Sequence, residues 1–277
     1  DFGPETTEQI CRANNERPNI SIRVNRLRKT REQLAEEMNA RQFTVRPSVL
    51  NEDGLVVEQG GNPAFTDWYK NGDFSIQDES SMLVARAVAP EPGMNVLDCC
   101  AAPGGKTAHL AELMNDTGTV WANDVHEHKV RLIAEQAERL RLKSVRWMVG
   151  DACRLAKNFP ARSFDRILLD APCSGLGVIR RKPDIKWAKN EEEIRDLPKL
   201  QLNLLRAVEP LLKPGGILVY STCTVAREEN EEVIDFFLKY REDFALDSFP
   251  AAFLPGALLE NITVRPGMAQ VLPHQFH

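Results

Sequence analysis

Five strand-length segments constrain this chain more than any other feature of it: MNVLDCC (94–100), TVWANDV (119–125), SVRWMVGDA (144–152), FDRILLDAP (164–172) and GILVYSTCT (216–224). Helical patterns run between them, in DESSMLVARAVA (78–89), KTAHLAELMN (106–115) and EHKVRLIAEQAERLRL (127–142). In the last of these, Val130, Ile133, Ala134, Ala137 and Leu140 recur at helical spacing. A further helix is expected over 191–212, bent or interrupted at Pro198. Near-continuous apolar strands alternating with helices specify a parallel sheet covered on both faces. The fold class expected is therefore α/β, with Lys213-Pro214-Gly215-Gly216 as a turn before the fifth strand.

The first seventy-odd residues have a different texture. SIRVN (21–25) alternates like a strand, TREQLAEEMNA (30–40) has a helical pattern, and FTVRPSVL (43–50) and LVVEQ (55–59) are strand-like. Asn51-Glu52-Asp53-Gly54 and Gly60-Gly61-Asn62-Pro63 punctuate them as turns. The expected division is a small α+β domain over 1–73 and a larger one over 74–277. At 277 residues, 43% apolar and 27% charged, the chain has the make-up of a globular protein with a sizeable core. It has no apolar run of the roughly 18 residues a membrane span requires. DFGPETTEQI has neither the basic start nor the apolar centre of a secretory signal, so no membrane and a cytoplasmic address are expected. Six cysteines without a C-x-x-C pair suggest neither a disulfide scaffold nor a zinc site, so no metal is expected and any reactive cysteine acts as a thiolate. The net charge of −5 hides local basic stretches, from Arg17 to Arg46 and from Ile179 to Lys189, which could meet a phosphate backbone or could be solvated faces.

In open α/β sheets, ligands bind beyond the carboxyl ends of the strands. Here the first strand runs into Cys99-Cys100-Ala101-Ala102-Pro103-Gly104-Gly105-Lys106-Thr107, and the second ends at Asp124. The third ends at Asp151, the fourth at Asp170 with Cys173 close behind, and the fifth at Cys223. Gly105-Lys106-Thr107 resembles the end of a phosphate-binding P-loop, but Cys100 stands where that motif needs its first glycine. No G-x-G-x-x-G is present either. What remains is a small-residue turn that a ligand can approach closely. A carboxylate at Asp124 can accept hydrogen bonds from both hydroxyls of a ribose, and Asp151 can meet an adenine amino group. An adenosine ligand without a phosphate clamp suggests S-adenosylmethionine.

AAPGGKT (101–107), LLDAPCSGLG (168–177), VIRRKPDIKW (178–187) and YSTCT (220–224), in this order, resemble the RNA cytosine-5 methyltransferases, above all those of bacterial 16S ribosomal RNA. The resemblance implies a Rossmann-like S-adenosylmethionine-dependent methyltransferase core preceded by a small α+β RNA-binding domain. It also implies a preceding NusB-like helical domain, to which residues 1–17 would be a linker, and a final strand after His277. The reaction implied is methyl transfer to C5 of a cytosine through a covalent Cys–C6 adduct. Cytosine C5 is too weak a nucleophile until a thiolate adds at C6, and covalent catalysis of this kind splits one hard step into easier ones.

By resemblance, Cys223 attacks and Cys173 serves release. The residues alone leave the roles interchangeable, because DNA enzymes of this chemistry attack with a Pro-Cys cysteine, which Cys173 matches. Asp170 is expected on the cytosine edge and Lys106 on the target nucleotide. Cofactor contacts are expected from Cys100, Ala101, Ala102, Pro103, Gly104, Gly105, Lys106, Asp124, Asp151 and Asp170. RNA contacts are expected from Arg23 and Arg26 in the first domain and from Arg180, Arg181 and Lys186 after Cys173. Small-subunit ribosomal RNA is the expected partner of a monomeric enzyme. Transfer RNA as substrate, or a catalytically silent RNA-binding assembly factor, are the alternatives.

Overall fold

The computed structural model describes residues 2–188, 191–250, 253–254 and 256–276. Helix α1 (Gly3–Ala13) leads into strand β1 (Ile20–Val24), helix α2 (Arg31–Asn39) and strands β2 (Thr44–Pro47) and β3 (Gly54–Gln59). The short helix α3 (Asp67–Lys70) and strand β4 (Phe74–Ile76) complete an antiparallel sheet of order β2-β3-β1-β4. The small sheet thus continues past residue 73, the boundary read from the sequence. Thr30 starts α2 with a capping box: its hydroxyl accepts from the Gln33 N–H while the Gln33 side chain accepts from the Thr30 N–H.

Side chains alternate across β1. Ile22 and Val24 enter a core with Leu34, Met38, Leu55, Trp68 and Phe74. Ser21, Arg23 and Asn25 face the other way and are also buried, because the larger domain covers that face. Asp78 then caps helix α4 (Glu79–Val88) by accepting from the Ser80 N–H.

The larger domain alternates strand and helix as its apolar runs require. In order come β5 (Asn95–Asp98), α5 (Gly105–Leu113), β6 (Thr119–Asp124), α6 (Glu127–Leu140), β7 (Val145–Val149) and β8 (Phe164–Asp170). They are followed by α7 (Ile185–Ala188), α8 (Glu191–Val208), β9 (Leu212–Ser221) and α9 (Glu231–Tyr240). Helix α10 (Gly256–Ile262) and a two-stranded pair, β10 (Thr263–Arg265) and β11 (Met268–Ala269), come last.

Strands β5 to β9 form one parallel sheet of order β7-β6-β5-β8-β9, a Rossmann-like arrangement. Successive residues feed opposite layers. Val96 and Leu168 pack on one face with Leu110, Met114, Val120 and Ile133. Leu97, Ile167 and Leu169 pack on the other with Phe164, Leu205, Val208 and Phe237. Each such side chain contributes about 1.5–3 kcal/mol by leaving water. The strand order reverses between β5 and β8, and a crevice opens at such a switch point.

Two local expectations change. The expected helix over 191–212 divides: α8 keeps Pro198 inside it and ends at Val208, a 3-10 turn spans Glu209–Leu211, and Leu212 already belongs to β9. The Lys213-Pro214-Gly215-Gly216 turn lies inside β9 as a bulge, because Leu212 pairs with Phe164 and Ile217 with Arg166. Gly215 takes a positive φ there and Lys213 ion-pairs with Asp165 at 2.7 Å. No helix among the described residues is long and apolar enough to cross a membrane.

Candidate active site

The start of the loop from β5 to α5 is tied to Asn123. The Ala101 N–H donates to the Asn123 carbonyl at 2.8 Å, and the buried Asn123 amide donates to the carbonyls of Cys99 (2.9 Å) and Gly150 (3.0 Å). Gly104 enters α5 at φ +102°, and a Cβ there would stand 3.2 Å from the Ile133 Cα. Glycine is required by conformation and by space together.

Within the first turn of α5, the Thr107 hydroxyl donates to Asp98 Oδ2 at 2.7 Å. Burial pushes the Asp98 carboxyl up to about 7. Lys106 reaches across the switch point, and its ammonium meets Asp170 Oδ2 at 2.7 Å. The other oxygen of Asp170 accepts from the Ser221 hydroxyl at 2.6 Å, across the β8–β9 register. Burial works against the Lys106 charge, but Asp170 outweighs it and leaves the ammonium pKa raised.

Beyond these strand ends the two sulfurs meet. Cys173 Sγ lies 3.3 Å from Cys223 Sγ, and the Cys223 N–H donates to Cys173 Sγ at 3.3 Å. The hydrogen bond from the Cys173 thiol lowers the Cys223 pKa to about 7, against the opposing effects of burial and of the Asp170 charge. The ammonium groups of Lys106 and Lys182 pull in the same downward direction. The same hydrogen bond, with burial, pushes the Cys173 thiol up. Within the pair, the Cys223 thiol is pulled down and the Cys173 thiol pushed up. Gly177 holds the second loop close, its N–H donating to the Cys223 carbonyl at 2.9 Å.

The structure therefore brings Cys173, Cys223, Asp170 and Lys106 together. Asp124, at the end of β6, accepts from the Ala102 N–H at 3.4 Å and the His126 N–H at 3.0 Å, so it touches the loop formed by Cys100 to Gly105. Asp151 is half exposed after β7; it caps the next turn through the Cys153 N–H at 2.9 Å and pairs with Arg154 at 3.5 Å. Cys100 is half-buried, and burial pushes its thiol up, away from thiolate chemistry. Sequence reasoning missed Ser221, Thr107 and Asn123. The first follows from parallel register beside Asp170, which no single-strand pattern shows. Among the described residues, no group of three or more His, Cys, Asp or Glu is arranged to hold a metal ion.

One expected RNA contact is corrected. Arg23 has no exposed surface, because its face of β1 is covered by the larger domain. Its guanidinium forms two 3.0 Å hydrogen bonds to the Glu112 carboxylate and donates to the Gly105 carbonyl at 3.2 Å and to Gln77. Arg26 is at the surface, near Glu52 (3.8 Å) and Asp53 (3.6 Å). Arg180, Arg181 and Lys186 are held by the linker between α1 and β1. Arg180 donates to the Glu16 carbonyl (3.2 Å) and the Arg17 carbonyl (3.1 Å), Arg181 to the Asn19 carbonyl (3.1 Å), and Lys186 to the Asn15 side chain (3.4 Å).

Comparison with known proteins identifies the family. Residues 85–277 match the family described as 16S rRNA methyltransferase RsmB/F, and residues 1–63 match the RsmF/B-like ferredoxin-like domain. A probable ribosomal RNA small subunit methyltransferase B of Bacillus subtilis is 47% identical over 277 residues, 99% of this chain and 61% of that protein. One from Synechocystis is 37% identical over 278 residues, 100% of this chain and 61% of that protein. The chain thus spans 61% of the length of these two curated relatives. Among solved structures, a methyltransferase homolog protein from Pyrococcus horikoshii shares 32% identity at a TM-score of 0.77, covering 90% of this chain and 81% of its own. NSun6 from the same organism, solved with SFG, has the same fold at 23% identity and a TM-score of 0.84, covering 99% and 92%. By the match over most of its length, the chain belongs to the RsmB/F family of 16S rRNA methyltransferases.

Proposed function

We propose that this chain transfers a methyl group from S-adenosylmethionine to C5 of a cytosine in 16S ribosomal RNA, through a covalent bond between Cys223 and C6. The observation that carries the proposal is the pair of sulfurs 3.3 Å apart, one with its pKa lowered to about 7, beside the Lys106–Asp170 ion pair. The names of the relatives, ribosomal RNA small subunit methyltransferase B, support the substrate class.

The residues at the neighbouring strand ends fit an adenosyl cofactor. Asp98 Oδ1 is buried without a partner at the end of β5, and the loop beyond it is built of small residues. Asp124 would hold the ribose hydroxyls, the backbone of Cys100 to Gly105 would line the cofactor, and Asp151 would face the adenine. When bound, S-adenosylmethionine supplies an electrophilic methyl group on a sulfonium.

The Cys223 thiolate adds to C6 of the cytosine, and the C5=C6 electron pair is displaced toward C5. Asp170 accepts or donates a hydrogen bond at the N3–C4 edge, and Lys106 stabilises the negative charge that develops on the ring. C5 then takes the methyl group as the methyl–sulfonium bond breaks, leaving a neutral thioether. The C5 proton passes to water, and the electrons of that C–H bond re-form the C5=C6 double bond as the S–C6 bond breaks and returns the Cys223 thiolate. Cys173, a protonated thiol in the resting pair, hydrogen-bonds the departing Cys223 sulfur.

Incubation with methyl-labelled S-adenosylmethionine, 16S ribosomal RNA and transfer RNA tests the reading. Label is expected in the ribosomal RNA; label in transfer RNA alone would change the substrate, and label in neither would leave a binding factor. Cys223→Ala should abolish transfer, whereas Cys173→Ala should accumulate a protein–RNA adduct that survives denaturing gels. An adduct trapped by the Cys223 variant would reverse the two roles.

A further inference from the structure

Glu229 is a carboxylate with no exposed surface, in the 3-10 turn Arg227–Glu229 before α9. A buried carboxylate is tolerated where hydrogen bonds hold it. Its Oε2 accepts from the Ser174 N–H at 2.9 Å and from the side-chain amide of Gln201 at 2.9 Å. Gln201 is itself fully buried in α8, and the same amide nitrogen donates to the Pro172 carbonyl at 3.0 Å. Pro172 and Ser174 are the two neighbours of Cys173.

The other thiol is held from the same place. The Tyr220 hydroxyl, on the strand that delivers Cys223, donates to the Glu229 carbonyl at 2.6 Å. Asn230 accepts from the Thr222 hydroxyl at 2.6 Å and donates to the carbonyls of Thr224 (3.1 Å) and Ala226 (2.8 Å). Thr222 and Thr224 are the two neighbours of Cys223. A hydrogen bond of 2.8 Å between the hydroxyls of Ser174 and Thr224 joins the two loops directly. Each cysteine is therefore anchored on both sides, and the anchors converge on Glu229-Asn230.

We infer that Glu229 and Asn230 are positioning residues that set the separation of the two thiols; this rests on the reading of Cys223 as the nucleophile. Neither side chain contacts a sulfur. They act through the loops, which leave β8 and β9 separately, and add to the Ser174–Thr224 and Gly177–Cys223 hydrogen bonds that join them. A thiol–thiolate hydrogen bond is short-ranged, so loosening the dipeptide weakens it. The lowered pKa of Cys223, which arises first from the Cys173 hydrogen bond, then rises toward that of an ordinary thiol.

The test uses Glu229→Ala, Glu229→Gln and Asn230→Ala. Alkylation by iodoacetamide is followed across pH by mass spectrometry of the peptide carrying Cys223, a readout that needs no RNA and no methyl transfer. The unsubstituted chain should show a midpoint near pH 7. Glu229→Ala and Asn230→Ala should move it upward by about one pH unit or more. Glu229→Gln keeps an oxygen that can accept both N–H groups and should restore most of the shift.

In methyl transfer, Glu229→Ala should lose about 100-fold in kcat, as expected when reacting groups are misplaced by a fraction of an ångström to an ångström. The KM for S-adenosylmethionine should stay unchanged, because its proposed contacts come from other strand ends. An unmoved alkylation midpoint in Glu229→Ala would overturn the inference. So would a kcat loss matched by an equal loss of cofactor affinity, or a Glu229→Gln variant no better than Glu229→Ala. Absence of methyl transfer in the unsubstituted chain would refute the proposed function and leave the alkylation test of the clamp standing.

Discussion

Replacing Arg23 with Met should destabilise the chain by about 3–5 kcal/mol, the usual consequence of breaking a buried ion pair from one side. The structure places this site at the demanding end. The Arg23 and Glu112 side chains are 0% and 1% exposed, and they share two hydrogen bonds of 3.0 Å. Arg23 also holds the Gly105 carbonyl, one residue before Lys106. Without it, Glu112 is a carboxylate in a closed interface that keeps only the weaker pull of Arg139. Burial already pushes the Glu112 carboxyl up, and Arg23 pulls it back only in part.

That balance decides the second half of the prediction. Since desolvation outweighs pairing even with both partners present, replacing both should undo the damage. Arg23→Met with Glu112→Leu should return to within about 1 kcal/mol of the parent chain or exceed it. Urea unfolding, followed by tryptophan fluorescence, measures both variants, and thermal unfolding should show a fall in Tm on the order of 10 °C for the single change. The single variant should recover part of its loss as the pH is lowered, because a carboxyl whose folded pKa is raised gains stability on taking up a proton. A single variant within 1 kcal/mol of the parent, or a double variant as unstable as the single one, would refute the reasoning.

Further consequences can be measured directly. Asp98 has its folded pKa raised by burial from 3.8 to about 7, so its contribution to stability is complete below about pH 4 and is lost as pH rises toward 7. The gap corresponds to about 4 kcal/mol; unfolding free energies from pH 4 to 8 should show the decline, and Asp98→Asn should flatten it. Lys106→Met removes a cation that favours the Cys223 thiolate, so the alkylation midpoint of Cys223 should rise; a midpoint unchanged would exclude the ammonium as a cause. Gly177→Ala would put a Cβ 2.9 Å from the Cys223 carbonyl oxygen, a backbone atom with little room to yield. Its methyl transfer should fall by about tenfold or more, and parent-level rates would show that the loop adjusts freely.

The parallel sheet was legible because its central strands β5 and β8 are largely buried, which leaves near-continuous apolar runs such as NVL and ILL. The strand-end residues were legible for a related reason: Asp170, Cys173 and Cys223 interrupt those runs where packing needs no such chemistry. Arg23 was misread because SIRVN alternates as a half-exposed strand does. Ile22 and Val24 do point into the small core, but the polar face lies against α5, a tertiary fact absent from the local pattern. Glu229 escaped notice for the opposite reason. It stands in an acidic run, Arg227-Glu228-Glu229-Asn230-Glu231-Glu232, that resembles solvated surface, and only the turn's geometry selects one carboxylate of the run for burial. The Lys213–Gly216 segment has the composition of a turn, and parallel pairing on both sides of it keeps it within one strand.

The reversal of strand order divides the labour of this sheet into two territories. One half, β5-β6-β7, ends in Asp98, Asp124 and Asp151; the other, β8-β9, ends in Asp170, Cys173 and Cys223. The Lys106–Asp170 contact is a hinge-pin across the frontier between them. On the proposed function, the β8-β9 side would meet the base and the β5-β6-β7 side the methyl donor, with Lys106 spanning the two.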